Sequence, residues 1–276
     1  MTFSLVACDP ARGECGVAVA SKFLAIGALV PWVRAGVGAV ATQAAMNPTY
    51  GPDGLDLLEH GLDPAAALAR LTAEDPGAAE RQAAIVDCRG RAAIHTGERC
   101  LAWAGGRSGD GWAAQGNTLV SGETITAVAA TFEGSRDGGA PMARRLLEAL
   151  AAGQEAGGDR RGQQGAALLV ARAGGGYGGF DVAVDLRVDD HAEPVAELQR
   201  LLDLHERSFG TTPDADWLVV DAALAAELRE RLAARGHVGG DLADDLMQWA
   251  LVENLEERVA GAERIDPVVL AAIRED

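Results

Sequence analysis

The sequence predicts a mixed α+β domain with its sheets covered by helices, followed by a small all-α unit. Three observations carry this expectation: a period-two hairpin pattern over residues 2–21, strand pairs alternating with helix pairs up to His205, and a helical pattern from Asp216 onward. Elements in that order bury their apolar faces best as sheets with helices outside. With 276 residues, 48% of them hydrophobic, the chain can build one large core and a small second one.

Phe3, Leu5 and Ala7 alternate with Thr2, Ser4 and Val6, the mark of a strand. The turn residues Asp9-Pro10-Ala11-Arg12-Gly13 follow, and Gly16–Ser21 reads as the return strand. Phe23–Val33 is apolar but broken by Gly27 and Pro31. Gly36–Gln43 is a buried strand of small residues. A loop from Asn47 to Pro52 leads to helices over Gly54–His60 and Asp63–Ala73, the second capped by Asp63. Residues 82–88 and 91–95 flank Arg89-Gly90 as another hairpin. A Gly- and Trp-rich loop then runs from His95 to Gln115-Gly116-Asn117. Helices are expected over Glu123–Phe132 and Pro141–Ala152, strands over Ala166–Ala171 and Asp181–Val188, and a closing helix over Pro194–His205. Ser208–Asp214 has loop composition and separates a domain of residues 1–207 from a tail of 215–276. In the tail Leu218, Val219, Ala222, Leu224, Leu228 and Leu232 recur at helical spacing. Leu242, Leu246, Trp249 and Leu255 mark a second helix, and Ile265–Ile273 a third.

Composition excludes several functions. The net charge of −17 repels phosphate backbones, so nucleic acid is not an expected partner. No run approaches the ~18–20 apolar residues of a membrane span, and no secretory signal is visible. Cys8, Cys15, Cys88 and Cys100 show no C-x-x-C spacing and read as free thiols in the cytoplasm, with Cys8 and Cys15 near one another across the first hairpin.

Thr2 is the strongest candidate for chemistry. Removal of Met1 would expose a hydroxyl and a free amine on one residue. An α-amine with a pKa of roughly 7.7–8.0 can take the hydroxyl proton near neutral pH. Counting outward from the turn sets Thr2 opposite Ser21 or Lys22, with side chains about 4.5–5.5 Å apart at Cβ. Lys22 is the only lysine in the chain, and its ammonium would tune a neighbouring amine or steady an anion; the alternative is a strand-end lysine reaching solvent.

Gln43, Asn47 and Tyr50, with Gln115 and Asn117, supply amides and a hydroxyl that either orient a carbonyl or fix their own loops. Asp159, Arg160 and Gln163 either grip a substrate carboxylate or form a structural ion pair. Asp189-Asp190-His191 raises a metal site, but neighbouring strand residues point to opposite faces, and a helix cap before Pro194 serves equally. His95 and His205 read as structural. Trp217 and Trp249 are tail core or, where exposed, a sugar-stacking surface.

These blocks resemble the bacterial family 1028 of domains of unknown function, grouped with the N-terminal-nucleophile (Ntn) hydrolases. The resemblance covers residues 2–206 and rests on TFSLVACDPARGECGVAVASKFLAIGALVPW, GVGAVATQAAMNPTYGPDGLDLL, HTG at 95–97, QGN at 115–117, GGDRRGQQGAALLV and VDLRVDDH. The tail, with DWLVVD at 216–221 and ENLEER at 253–258, resembles a peptidoglycan-binding module. The resemblance implies a four-layer αββα sandwich with Thr2 at the end of a central strand. It further implies a homo-oligomeric amidohydrolase without cofactor or metal, acting on a small amide, peptide or ureido compound. Two departures stand out. Position 22 need not be lysine in the family, and Gln164-Gly165 replaces an expected glutamine-serine pair. Two other readings compete: an inert Ntn-like scaffold whose tail binds a muropeptide or a protein, and a metal-dependent hydrolase built on Asp189, Asp190 and His191.

Overall fold

The computed structural model describes residues 2–275. The expectation about Met1 lies outside the described residues. The fold is mixed α+β, and its strands are antiparallel throughout. Strand β1 (Thr2–Asp9) pairs with β2 (Glu14–Ser21) in the register Thr2↔Ser21. The turn is made by Asp9, whose Oδ1 accepts from the N–H groups of Ala11 at 3.0 Å and Arg12 at 3.2 Å, and by Gly13 at φ +65°. That local chemistry fixes the register, because each side chain's face follows from its count to the turn.

Next come β3 (Pro31–Arg34) and β4 (Gly38–Ala44), then helices α1 (Tyr50–Glu59) and α2 (Pro64–Ala73). The Asp63 carboxylate caps α2, accepting from Ala66 N at 2.8 Å. Strands β5 (Arg81–Asp87), β6 (Ala92–Thr96), β7 (Gly105–Gly109) and β8 (Trp112–Asn117) follow, then helices α3 (Glu123–Gly134) and α4 (Met142–Glu155). Strands β9 (Gly165–Ala171) and β10 (Val182–Val188) precede helix α5 (Pro194–Phe209). One sheet runs β10-β9-β2-β1-β8-β7 and a second β3-β4-β5-β6.

The period-two alternation sorts side chains between apolar clusters. Phe3, Leu5 and Ala7 pack with Val128, Phe132, Leu146, Leu150 and Leu198 of α3, α4 and α5. Val6, Val17 and Val19, on the opposite face, meet Ala39, Ala41, Ala84 and Val86 of the second sheet. Val40, Ala83 and Ile85 join Tyr50, Leu55 and Leu68 of α1 and α2. β1 and β2 are thus covered on both faces.

Several stretches differ from expectation. Pro31–Arg34 is a strand that periodicity did not reveal, since four residues are too few to show a period. The Gly- and Trp-rich loop contains β7 and β8, so Gln115 and Asn117 stand on a strand against β1 rather than in a loop. Gly105, Gly106 and Gly109 hide that strand because glycine carries no hydrophobic signal. Helix α5 also runs on to Phe209, beyond the predicted His205.

The chain divides into two compact units, one ending at Leu202 and one starting at Asp203, inside α5. The second unit is helical, with α6 (Ala222–Ala234), α7 (Leu242–Glu253) and α8 (Pro267–Arg274) around Leu228, Leu232, Leu246, Trp249, Val269 and Ile273. Trp249 is core. α6 starts at its cap Asp221, which accepts from Leu224 N at 2.8 Å, and not at Asp216. Leu218–Val219 is instead a short strand, β11, paired with β12 (Arg264–Ile265). Arg258 is buried against Asp266 at 2.8 Å and donates to the carbonyls of Glu206 and Arg207 at the end of α5. Among the described residues no helix is long and apolar enough to cross a membrane.

Candidate active site

Thr2 stands on β1 between β2 and β8, opposite Ser21 on one side and Asn117 on the other. Directly opposed residues share a sheet face, so the three side chains converge. Thr2 Oγ1 and Ser21 Oγ are 3.0 Å apart and hydrogen-bonded, and Thr2 is only 2% exposed. Ser4, two residues on, shares that face. Its hydroxyl donates to Gln43 Oε1 at 2.7 Å. Gln43 Nε2 donates to the Thr2 carbonyl at 3.2 Å and to Gln82 Oε1 at 2.8 Å, and Asn117 Nδ2 donates to the same Oε1 at 3.0 Å. Gln82 Nε2, with two N–H bonds, lies among three acceptors that share them, the carbonyls of Gly116 at 2.8 Å and Gly105 at 3.2 Å and Thr96 Oγ1 at 3.0 Å.

The polarity of this network follows from its anchors. The Gly105 and Gly116 carbonyls can only accept, so Gln82 presents its NH₂ to them and its oxygen to Gln43 and Asn117. Both of those carboxamides must therefore present N–H to Gln82. Gln43 then has only its oxygen left for Ser4, whose hydroxyl becomes the donor. Gln115 Nε2 is held by the Ala41 carbonyl at 3.0 Å, and its Oε1 is buried without a partner. Gln82 and Ser4 were missed by the sequence reading. A signal existed: Gln43 and Gln82 are the polar residues in two apolar runs and face each other across β4–β5.

Of the two readings of Lys22, the structure fits the strand-end lysine, which is exposed. Its Nζ donates to the Gln163 carbonyl at 3.1 Å rather than turning to Thr2, and its main-chain N–H goes to Asp159 Oδ2 at 2.9 Å. Lys22 follows the last residue of β2, where the strand alternation that aims Ser21 at Thr2 has ended. Asp159 is buried and ion-paired at 2.9 Å, with Arg161 rather than Arg160. Arg160 is exposed, and its main-chain N–H reaches the Thr118 carbonyl at 3.3 Å.

Asn47 belongs to another cluster. Its Oδ1 takes the N–H and hydroxyl of Thr49, and its Nδ2 faces Asp75 Oδ2 at 3.5 Å. Asp75 also accepts from Arg81 Nε at 2.8 Å, Gly77 N at 2.7 Å and the Tyr50 hydroxyl at 3.1 Å. The Arg81 guanidinium, helped by these N–H and O–H donors, holds the Asp75 carboxyl far below the usual carboxylate range. Burial, then the bond to Asp75, pushes Tyr50 up to about 12. Asp190 takes Gln164 Nε2 at 3.0 Å, and His191 Nδ1 accepts from Glu193 N at 3.0 Å, which places both in the turn before α5. Among the described residues no group of three His, Cys, Asp or Glu side chains is arranged to hold a metal. The four cysteines are free thiols, and Cys8 faces Cys15 across the hairpin. A bond to Cys8, together with burial, pushes the Cys15 thiol up.

An α+β domain with buried hydroxyls and carboxamides gathered at the end of its central strand, joined to a helical module, is the class that fold and site define. Residues 2–198 match the model of the "Family of unknown function (DUF1028)", and the chain belongs to that family. Residues 221–273 match the model described as "Putative peptidoglycan binding domain". The crystal structure of protein SPO2555 from Silicibacter pomeroyi, of the same family, is similar at 31% identity and a TM-score of 0.67, covering 77% of this chain and 90% of that one. No curated protein matches the chain.

Proposed function

We propose that the chain is an N-terminal-nucleophile amidohydrolase acting on the C–N bond of a small amide, peptide or ureido compound. One observation carries the reading: the Thr2 hydroxyl, at the first described position of a central strand, is bonded to Ser21 Oγ at 3.0 Å beside the Asn117 carboxamide. The cluster shared by the two sheets, with helical clusters on their other faces, supports the four-layer αββα arrangement such enzymes use. Cleavage of the peptide bond before Thr2 frees its amine. The amine takes the Oγ1 proton as that oxygen attacks the carbonyl, then passes it to the leaving nitrogen, and water hydrolyses the ester. Ser21 holds Oγ1 in place. Asn117, fixed through Gln82, meets the developing oxyanion with its second N–H. Gln43 and Gln115 support that wall, while Asp159, which takes the Lys22 N–H and pairs with Arg161, braces the chain beside Ser21. The match over residues 221–273 supports a second element, a tail that recognises a peptidoglycan fragment.

Intact-mass measurement of the purified chain tests the first requirement, since a chain beginning at Thr2 is expected. Thr2→Ala is then expected to abolish turnover of a panel of fluorogenic amides while circular dichroism is unchanged. Amide turnover equal to wild type in that variant sinks the reading and leaves the inert scaffold with a binding tail.

A further inference from the structure

We infer that the second unit carries a binding site for an acidic saccharide in the cleft beside β11 and β12; the inference rests on the tail's wall-fragment reading and gives it a location. The cleft has a volume of about 450 Å³ and is lined by Asp214, Trp217, Gly261, Glu263 and Arg264 among others. That is within the ~300–1,000 Å³ of small-molecule sites. Trp217 and Asp214 lie ahead of the segment matched by the module's model, so the site extends beyond that match.

The lining residues divide the chemistry. The Trp217 indole N–H is spent on the Thr212 carbonyl at 3.2 Å, so what the half-buried ring offers the cleft is apolar surface, the kind on which a sugar's C–H face packs. Arg264 donates through Nη2 to the carbonyls of Asp214 and Trp217, which fixes its plane and leaves Nε and Nη1 unspent. Among the described residues Arg264 has no carboxylate partner. In the same unit Arg207, Arg231, Arg258 and Arg274 each sit on a carboxylate at 2.8–3.1 Å, while Arg235, like Arg264, is held by main-chain carbonyls; of those two, Arg264 lines the cleft. A fixed and exposed guanidinium in a chain of net charge −17 has abundant acids available and takes none. Such a group is a ready receptor for a ligand carboxylate. Asp214 and Glu263 supply acceptors for hydroxyl groups and repel a carboxylate placed anywhere but at Arg264, which sets one orientation. Gly261, at φ +122°, has nothing within 4 Å of where a side chain would project, so a ring can lie close to the backbone there. Apolar face, hydroxyl acceptors and one carboxylate receptor together describe an acidic aminosugar, with or without a short peptide.

The test uses the full chain, titrated by calorimetry with N-acetylglucosaminyl-N-acetylmuramyl dipeptide, which carries a carboxylate, and with neutral N,N′-diacetylchitobiose. The acidic fragment is expected to bind about tenfold more tightly. Arg264→Met should erase that preference and Arg264→Lys should keep part of it. Trp217→Ala should weaken both fragments, with Trp217→Phe close to wild type as the control for folding. Equal wild-type affinity for the two fragments overturns the proposal, as does binding that none of the variants changes; in both cases the tail reading stands. If neither fragment binds the wild-type chain, the proposal and the tail reading fall together.

Discussion

Strands β1, β2, β4, β5 and β8 carry two kinds of buried environment, and the difference between them points to function. Along most of their shared cluster lie Val6, Val17, Val19, Ala39, Ala41, Ala84 and Val86, which removal from water stabilises at about 25 cal/mol per Å². At one end the same strands bury Thr2, Ser4, Ser21, Gln43, Gln82, Gln115 and Asn117, each no more than 2% exposed. A buried hydrogen bond returns only about 1 kcal/mol net, while a buried group left unpaired costs about 1–3 kcal/mol. Valines throughout would give a more stable domain. A carboxamide cluster cross-linked through Gln82, gathered where a hydroxyl heads the central strand, fits a sequence that gives up stability for a positioned group.

Substitutions that exchange the character of the two ends test this contrast. Thr2→Ala should have the largest effect, lowering amide turnover by at least about three orders of magnitude with little change in unfolding midpoint. Gln82→Leu comes next. It strands the N–H groups of Gln43 and Asn117 and the carbonyls of Gly105 and Gly116, so urea unfolding should show a loss on the order of 3–5 kcal/mol. Unfolding within about 1 kcal/mol of wild type would show that the network is not closed as described. Asp75 tests the neighbouring cluster through pH. Its folded pKa is depressed, so its contribution is present above the unfolded value of about 3.9 and is lost as pH falls toward the folded value. Stability should therefore fall below about pH 4, and Asp75→Asn should flatten that acid limb. In the apolar part, Ile26 follows β2 and is fully buried in the same cluster as Val17 and Val19, and Ile26→Val should cost about 0.5–1.5 kcal/mol, the ordinary cost of one methylene. The smallest effect belongs to Gln115→Met. It removes the bond to Ala41 but also the unpartnered Oε1, and should stay within about 1 kcal/mol of wild type.

Much of the fold was legible in local patterns. The Asp9–Gly13 turn and the Phe3-Leu5-Ala7 alternation gave the first hairpin, and the cap at Asp63 is an aspartate before an apolar run. Of the site, Thr2 beside Ser21 or Lys22 could be read by counting from one turn. Asn117 was visible only as a loop residue, because the glycines of β7 concealed a strand. Gln82 was passed over as the first residue of a hairpin, since nothing near it in sequence needs its amide.

What the sequence alone determined is the hairpin that sets Thr2 against Ser21 or Lys22, since a tight turn fixes register to within a residue, and the structure chose Ser21. The apolar periodicity of the helices and the acidic surface were determined in the same way. Only the tertiary structure decided that β8 closes the other side of Thr2, that Gln82 bridges Gln43 and Asn117, and that the Lys22 ammonium turns to Gln163. Those choices depend on which donors and acceptors remain once distant strands have been buried together. No local stretch of chain contains that information.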